Sequence, residues 1–315
     1  MTQDHEEIEF ESQGEACAAW LFGRGDADDP VPIVVMAHGF TATRRESLEQ
    51  FARRFAAAGL ATLAFDYRGF GESDGAERQV LSIDRQLEDV AAALEFARGL
   101  EGIDPTRVAL WGSSFGGGLA LETAARDHSL TCAVAQVPFA QGPSLLGAVP
   151  PANAMRLTAR AVADIRARRS GADRIMIPAA GPPGTLAAMT SEDALPGFEA
   201  IKAPDSLHQN RVAAAIAVEA LLWRPGSKAG RIECPLLVQV ATEDLDTPPA
   251  PAARAAARAP RGELRRYDCG HFDVYLEPWF DRVADDQVEF LTRHLLRSGT
   301  VSGAASARRG QSSSS

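Results

Sequence analysis

Ser114 is the central residue of the stretch GSSFG at residues 112–116, which matches the pattern G-x-S-x-G. An apolar, strand-like run precedes it and a helical run follows it, which is the context that a nucleophile elbow requires. The small residues two before and two after the serine let such a strained turn form without collision. The pattern predicts an exposed, nucleophilic Ser114 Oγ; the alternative is a glycine-rich tight turn that happens to contain serine.

A serine hydroxyl is a weak nucleophile, so it needs a base and a carboxylate that orients the base. Two later loops supply them, because ATEDLDTPP places Asp244 after one buried strand-like run and YDCGHFDVY places His271 after the next. Ser, acid, His is one of the chain orders in which such triads occur. We predict Asp244 as the acid and His271 as the base, with Asp246 and Glu243 as the other candidates for the acid.

An oxyanion hole needs two donors, and the backbone N–H of Phe115, directly after the serine, is the first. The stretch AHGFTATRRES supplies the second, because a glycine lets the chain turn there and the N–H of Phe40 can point inward. His38 in the same stretch is expected to be structural rather than a proton carrier. Arg44 and Arg45 are expected to cap or decorate the helix that follows.

Strand-like and helical stretches alternate along the chain and must position these loops. The continuous apolar runs at 32–38 and 60–67 are typical of strands buried on both faces of a parallel sheet. Amphipathic helical stretches follow them, and Ser82 is predicted to be the N-cap of the second. The alternation predicts an α/β fold with a doubly wound, mostly parallel sheet, whose ligands lie beyond the carboxyl ends of the strands.

The alternation stops near Pro138 and resumes at Pro235. The intervening chain is far longer than an ordinary loop of an α/β fold and contains helical stretches. We predict a core formed by residues 1–138 and 235–297, a mostly helical cap insertion at 139–234, and a disordered tail at 298–315, where small polar residues show no periodicity.

Composition excludes several classes of partner. The chain of 315 residues has a net charge of −10, which argues against nucleic acid and anionic membranes as partners. Its four cysteines form no CxxC pair and its histidines show no metal-ligand spacing, so we expect reduced thiols, no metal and no cofactor. No signal peptide or membrane-spanning stretch is visible, so a cytoplasmic protein is expected, and a homo-oligomer remains open.

Five motifs together resemble the capped serine hydrolases of the α/β-hydrolase superfamily over nearly the whole chain: HGF, FDYRGFGESDG, GSSFGG, ATEDLDTPP and GHFDVY. More narrowly, FDYRGFGESDG, RVALWGSSFGGG and AQVPF resemble the dienelactone-hydrolase-like and polyketide-transferase-like proteins. The resemblance implies Ser114 as nucleophile, Asp244 as acid, His271 as base, and the N–H groups of Phe40 and Phe115 as oxyanion donors. Dienelactone hydrolases proper use a cysteine nucleophile, and epoxide hydrolases and haloalkane dehalogenases use an aspartate, whereas this chain has a serine.

The expected function is cofactor-independent hydrolysis of a carboxylic ester with a small or medium acyl group, through an acyl-enzyme. A thioesterase or acyltransferase acting on a polyketide or acyl thioester is the alternative, since it keeps every residue named above. A peptidase and a noncatalytic ligand-binding protein also remain open. Phe139, Met155, Leu157 and Phe272 are predicted to line an apolar substrate pocket, although each one singly is more often ordinary core. The glycine-rich loop at 67–75 lacks a phosphate-binding spacing and is expected to be structural.

Overall fold

The computed structural model describes residues 5–147 and 150–296, so the predicted tail at 298–315 lies outside the described residues. An eight-stranded sheet forms the centre of the molecule, and a second sheet has two short strands. The strands are β1 (Glu6–Ser12), β2 (Glu15–Phe22), β3 (Val31–Ala37), β4 (Ala61–Phe65), β5 (Ile103–Ser113), β6 (Cys132–Gln136), β7 (Met176–Ile177), β8 (Val212–Ala213), β9 (Leu236–Ala241) and β10 (Gly262–Tyr267).

The strand order in the large sheet is β1-β2-β4-β3-β5-β6-β9-β10. Strand β2 runs antiparallel to β1 and β4, and all other neighbouring pairs are parallel. Every residue of β4, β6 and β9 is buried, which explains why their sequences are continuous apolar runs rather than alternating ones. The predicted α/β fold with a mostly parallel sheet is confirmed.

Helices cover both faces of this sheet. They are α1 (Leu48–Ala57), α2 (Ile83–Arg98), α3 (Phe115–Ala124), α4 (Pro151–Ser170), α5 (Ala194–Ile201), α6 (Ile216–Leu222), α7 (Pro249–Arg258) and α8 (Trp279–Leu295). One face packs on side chains of α1 and α8, and the other on side chains of α2, α3 and α7. Leu48, Phe51 and Phe55 of the first helix are buried, as their spacing predicts.

The chain between β6 and β9, called the insertion below, contains α4, α5, α6 and the antiparallel pair β7 and β8. Asp164 of α4 links separate parts of the insertion to one another. Its buried carboxylate accepts hydrogen bonds from Arg174 and from the N–H groups of Ile175 and Ala215. The predicted boundaries of the cap at 139–234 stay a prediction. No helix in the described part of the chain is long and apolar enough to cross a membrane.

Of two local predictions, one is confirmed in position and the other is wrong. Ser82 occupies the N-cap position of α2 as predicted, but its side chain makes no capping hydrogen bond, and the Ile83 N–H donates to Glu219 of the insertion at 3.3 Å. Arg44 does not decorate α1, because it is buried and paired with Asp66 and Glu72. Sequence spacing could not reveal either partner, since both come from distant parts of the chain.

Candidate active site

The backbone at Ser114 is strained. Its φ of 56° and ψ of −118° lie outside the regions that L-residues ordinarily adopt. Two backbone hydrogen bonds hold this turn against the end of β6: the Ser114 N–H donates to Gln136 O at 2.9 Å, and the Phe139 N–H donates to Ser114 O at 2.8 Å. The turn therefore presents the serine at the carboxyl end of β5, as the motif predicts.

The glycines on either side of the serine are required by space. A Cβ added to Gly112 would lie 2.1 Å from the carbonyl oxygen of Gly116. A Cβ added to Gly116 would lie 2.2 Å from the carbonyl oxygen of Ala37, at the end of β3. Both collisions are with backbone atoms, which cannot move aside as a flexible side chain would. Helix α3 can therefore start close beneath the sheet only when these two positions lack side chains.

Ser114, His271 and Asp244 are brought together in one hydrogen-bonded row. His271 Nε2 lies 3.0 Å from Ser114 Oγ, and His271 Nδ1 lies 2.7 Å from Asp244 Oδ2. Ser114 is 8% exposed, His271 2% and Asp244 7%, so water is largely excluded. With its Nδ1–H donating to Asp244, the imidazole presents the Nε2 lone pair to the serine hydroxyl, which is the arrangement needed to accept its proton.

The pKa of His271 is raised above its ordinary value. Burial opposes the charged imidazolium and acts to lower the pKa, but the charge and hydrogen bond of Asp244 outweigh burial, with further help from the charges of Asp246 and Asp193. An imidazole with a raised proton affinity is a stronger base toward the serine hydroxyl.

The loop after β9 holds the Asp244 carboxylate with three donors. Its Oδ1 accepts the backbone N–H groups of Asp246 at 2.9 Å and Thr247 at 2.6 Å, and its Oδ2 accepts the Thr247 hydroxyl at 2.8 Å. Of the two other candidates for the acid, Asp246 instead accepts the hydroxyl of Ser191 in the insertion at 2.7 Å, and Glu243 is exposed. Sequence reasoning missed Thr247, and the available signal was a hydroxyl three residues after a candidate acid in a proline-bounded turn.

The loops expected to supply oxyanion donors lie beside Ser114. Phe115 is the first residue of α3, and the N–H groups of a first helical turn have no partner inside the helix. The loop after β3 runs against the serine, since a Cβ added to Gly39 would lie 3.2 Å from Ser114 Cβ. The rings of Phe40 and Phe115 are 5.7 Å apart, which places the two backbone segments side by side. The donor roles of Phe40 and Phe115 stay predictions.

Two of the four predicted pocket residues lie beside aromatic rings of the candidate site, and the other two lie on α4. Phe139 lies 5.5 Å from the ring of Phe115, and Phe272 lies 5.0 Å from the imidazole of His271. Met155 is instead 69% exposed on α4, in a shallow surface depression, while Leu157 packs against the core. Sequence reasoning missed Trp223, which stacks on Phe139 at 5.6 Å and touches Phe115 at 4.9 Å.

Two neighbouring motifs have structural roles. His38 is fully buried; its Nδ1 lies 3.0 Å from Gly39 O, its ring packs on Tyr67, and burial lowers its pKa. The glycine-rich loop at 67–75 wraps around the Asp66 carboxylate, which accepts the Glu72 N–H at 3.0 Å. This N–H of the loop is thus already hydrogen-bonded within the protein. In residues 5–147 and 150–296, no cluster of three or more His, Cys, Asp or Glu side chains could hold a metal ion.

Comparison with known proteins identifies relatives over most of the chain. The family model described as "Serine aminopeptidase, S33" matches residues 28–278. Quorum-quenching protein AidA of Acinetobacter baumannii is 41% identical over 91% of this chain and 94% of its own length. Thiohydrolase aneE of Aspergillus aculeatus is 34% identical over 44% of this chain and 45% of its own length. The crystal structure of the α/β hydrolase GrgF from Penicillium sp. sh18 has the same fold, with a TM-score of 0.79, 23% identity, and coverage of 93% of this chain and 100% of its own.

Proposed function

The chain belongs to the serine aminopeptidase S33 family of α/β hydrolases, and on that premise we propose that it hydrolyses carboxylic esters through Ser114, His271 and Asp244. The observation that carries the proposal is the continuous row of hydrogen bonds from Ser114 Oγ through the imidazole to Asp244 Oδ2, at 3.0 Å and 2.7 Å. A protein that merely binds a ligand has no need for a buried base in contact with a strained serine.

The proposed reaction has two matched halves. His271 Nε2 takes the proton of Ser114 as Oγ attacks the acyl carbonyl, and the N–H groups of Phe40 and Phe115 stabilise the oxyanion that forms. The tetrahedral intermediate collapses, the C–O bond to the alcohol breaks, and the alcohol leaves with the proton from His271. Water then attacks the acyl-enzyme and gives a proton to His271. As the second tetrahedral intermediate collapses, the bond to Oγ breaks, His271 returns the proton to Ser114 Oγ, and the carboxylic acid leaves.

The proposed substrate is an ester with a small or medium acyl group. Ser114 is 8% exposed, and the rings of Phe115, Phe139 and Trp223 form an apolar cluster beside it, which supports a compact, apolar acyl group. AidA is named a quorum-quenching protein, which supports the proposal that the substrate of this chain is a small diffusible molecule rather than a polymer.

A thioesterase or acyltransferase is the second candidate. The same three residues would form the same acyl-enzyme, and only the leaving group or the acceptor would differ. Relatives named thiohydrolase aneE and polyketide transferase grgF favour keeping this candidate, although both are more distant than AidA. The name of the family, serine aminopeptidase, also makes a peptidase worth testing directly.

The test compares initial rates of hydrolysis of p-nitrophenyl esters, from acetate to dodecanoate, by wild type and by Ser114→Ala. We expect hydrolysis by wild type and a loss of roughly four decades or more in kcat in the variant. The matched control is Ser227→Ala, at an exposed hydroxyl that bonds only to a local carbonyl in the described structure, and it should retain full activity. Equal activity of wild type and Ser114→Ala would show that Ser114 is not the nucleophile.

A second panel separates the candidate classes. It contains a lactone, a butyryl thioester of a small thiol, the same thioester with an added alcohol acceptor, and an amino-acid p-nitroanilide. The proposal predicts the highest kcat/KM for oxygen esters. Faster cleavage of the thioester, acyl transfer that outpaces hydrolysis, or release of p-nitroaniline as the leading activity would replace it with the corresponding alternative.

A further inference from the structure

The hydroxyl of Thr247 lies among three polar atoms of the proposed active site. Its Oγ1 is 2.8 Å from Asp244 Oδ2, 2.9 Å from the carbonyl oxygen of Val137, and 3.2 Å from His271 Nδ1. Thr247 is buried, so water cannot replace any of these partners. Its position is also restricted, because a β-branched side chain has few rotamers and the residue before a proline has a limited backbone range.

One hydroxyl has one proton, so it can donate to only one of these atoms at a time. His271 Nδ1 carries its own proton, which it donates to Asp244 Oδ2 at 2.7 Å, and therefore cannot accept a second. The remaining acceptors are the Asp244 carboxylate and the Val137 carbonyl. A hydrogen bond to an anion is roughly twice as strong as one between neutral groups, and the carboxylate is also the closer acceptor.

We propose that Thr247 is a positioning residue, whose hydroxyl donates to Asp244 Oδ2 and thereby fixes the carboxylate so that its remaining lone pair faces His271 Nδ1–H. Together with the Thr247 N–H on Oδ1, the hydroxyl holds both carboxylate oxygens from one residue. This role rests on the proposed serine-hydrolase chemistry and adds a fourth side chain to the row of Ser114, His271 and Asp244.

The donor assignment has a consequence for the base. A hydrogen bond to the ionised carboxylate withdraws part of its charge, so Thr247 moderates the attraction between Asp244 and protonated His271. The other charged groups facing His271 are Asp246 from the same loop and Asp193 from the insertion, and substitution of Thr247 leaves both in place. Removing the hydroxyl should thus misorient the carboxylate and at the same time raise the proton affinity of His271.

The test compares Thr247→Val, which keeps the shape but lacks the hydroxyl, with Thr247→Ser, which keeps the hydroxyl. For the ester that wild type hydrolyses best, we expect Thr247→Val to lower kcat roughly ten- to hundredfold with little change in KM, because orientation in the chemical step is lost. The acid limb of kcat/KM should move to higher pH, and Thr247→Ser should restore both quantities. Thr242→Val is the matched control, at an exposed threonine of the same loop that contacts Asp268.

Three other results would each overturn the inference. An acid limb that moves to lower pH would mean that the hydroxyl donates to Val137 and accepts from His271. A lower kcat with an unchanged pH profile that serine does not restore would mean a packing role, and thermal unfolding of each variant identifies that case. Wild-type kinetics in Thr247→Val would remove the role altogether. Failure of the proposed function is separate, since it appears as an inactive wild type or an active Ser114→Ala.

Discussion

Asp246 accepts a hydrogen bond from the Ser191 hydroxyl at 2.7 Å, so this carboxylate of the loop after β9 is engaged by the insertion. Asp244, two residues earlier, is the one that reaches His271. Asp244 and Asp246, two of the three candidates for the acid, therefore occupy different environments, and substitution can separate them.

Replacing Asp244 with asparagine should lower kcat by about four decades, because an amide cannot hold the imidazole in the tautomer that accepts the serine proton. Asp246→Asn, in the same loop, keeps a carbonyl oxygen for Ser191 and leaves the hydrogen bond between Asp244 and His271 in place, so its loss in kcat should be far smaller. Initial rates on the best p-nitrophenyl ester decide between them. A larger loss in Asp246→Asn than in Asp244→Asn would exchange the two assignments.

The pH dependence of kcat/KM should report His271. A base must be unprotonated to act, so activity should fall on the acid side as the imidazole gains a proton. Since Asp244 outweighs burial and raises the pKa of His271, the acid limb should have its midpoint above about 6.5, the ordinary value for histidine. Rates measured in buffers of constant ionic strength test this, and a midpoint well below 6.5 would contradict the balance between carboxylate charge and burial.

Gly112→Ala should destabilise the fold, because its new methyl group would lie 2.1 Å from the carbonyl oxygen of Gly116. We expect the free energy of unfolding to fall by about 2 kcal/mol or more. Gly99→Ala is the control, since its new methyl group would lie 3.5 Å from the carbonyl oxygen of Phe96 and its φ is −88°, and its effect should stay within about 0.5 kcal/mol. Urea unfolding followed by circular dichroism measures both, and equal stabilities would contradict the collision.

Replacement by leucine should have opposite effects on the stability of the fold at two buried glutamines. Gln287 of α8 bonds Trp111, Gln136 and Gln239, and its loss would leave three buried groups without this partner, which should cost about 3 kcal/mol or more. Gln86 of α2 is buried, and its amide has no hydrogen-bond partner in the described part of the chain, so Gln86→Leu should be neutral or stabilising. Thermal and urea unfolding compare the two, and a destabilised Gln86→Leu would reveal a hidden partner such as water.

The features that sequence predicts best here are those encoded locally. The apolar runs at 32–38 and 60–67 became buried parallel strands, and the spacing of Leu48, Phe51 and Phe55 became the buried face of α1. The turn at Ser114 follows from its glycines, because the need for small residues lies within five positions. These patterns depend only on near neighbours, so one sequence suffices to read them.

The features that escaped prediction depend on partners far apart in the chain. Arg44 was expected on the helix surface but pairs with Asp66, 22 residues away, and the N-cap of α2 is served by Glu219 rather than Ser82. Thr247 Oγ1 lies 2.9 Å from the carbonyl oxygen of Val137, 110 residues earlier. Hydrogen bonding between groups far apart in the chain follows from the tertiary fold, and no periodicity in the sequence predicts it.

The hydrogen bonds of Gln287 also affect when the protein can fold during its synthesis. Trp111 and Gln136, on the strands beneath the serine turn, find their partner 176 and 151 residues later, in the final helix of the described chain. A ribosome has therefore already released β5, the serine and most of the insertion from its exit tunnel before α8 exists. During that interval the polar groups beneath the serine turn lack their final partners, so a growing chain should acquire a rigid serine turn only after α8 has left the exit tunnel.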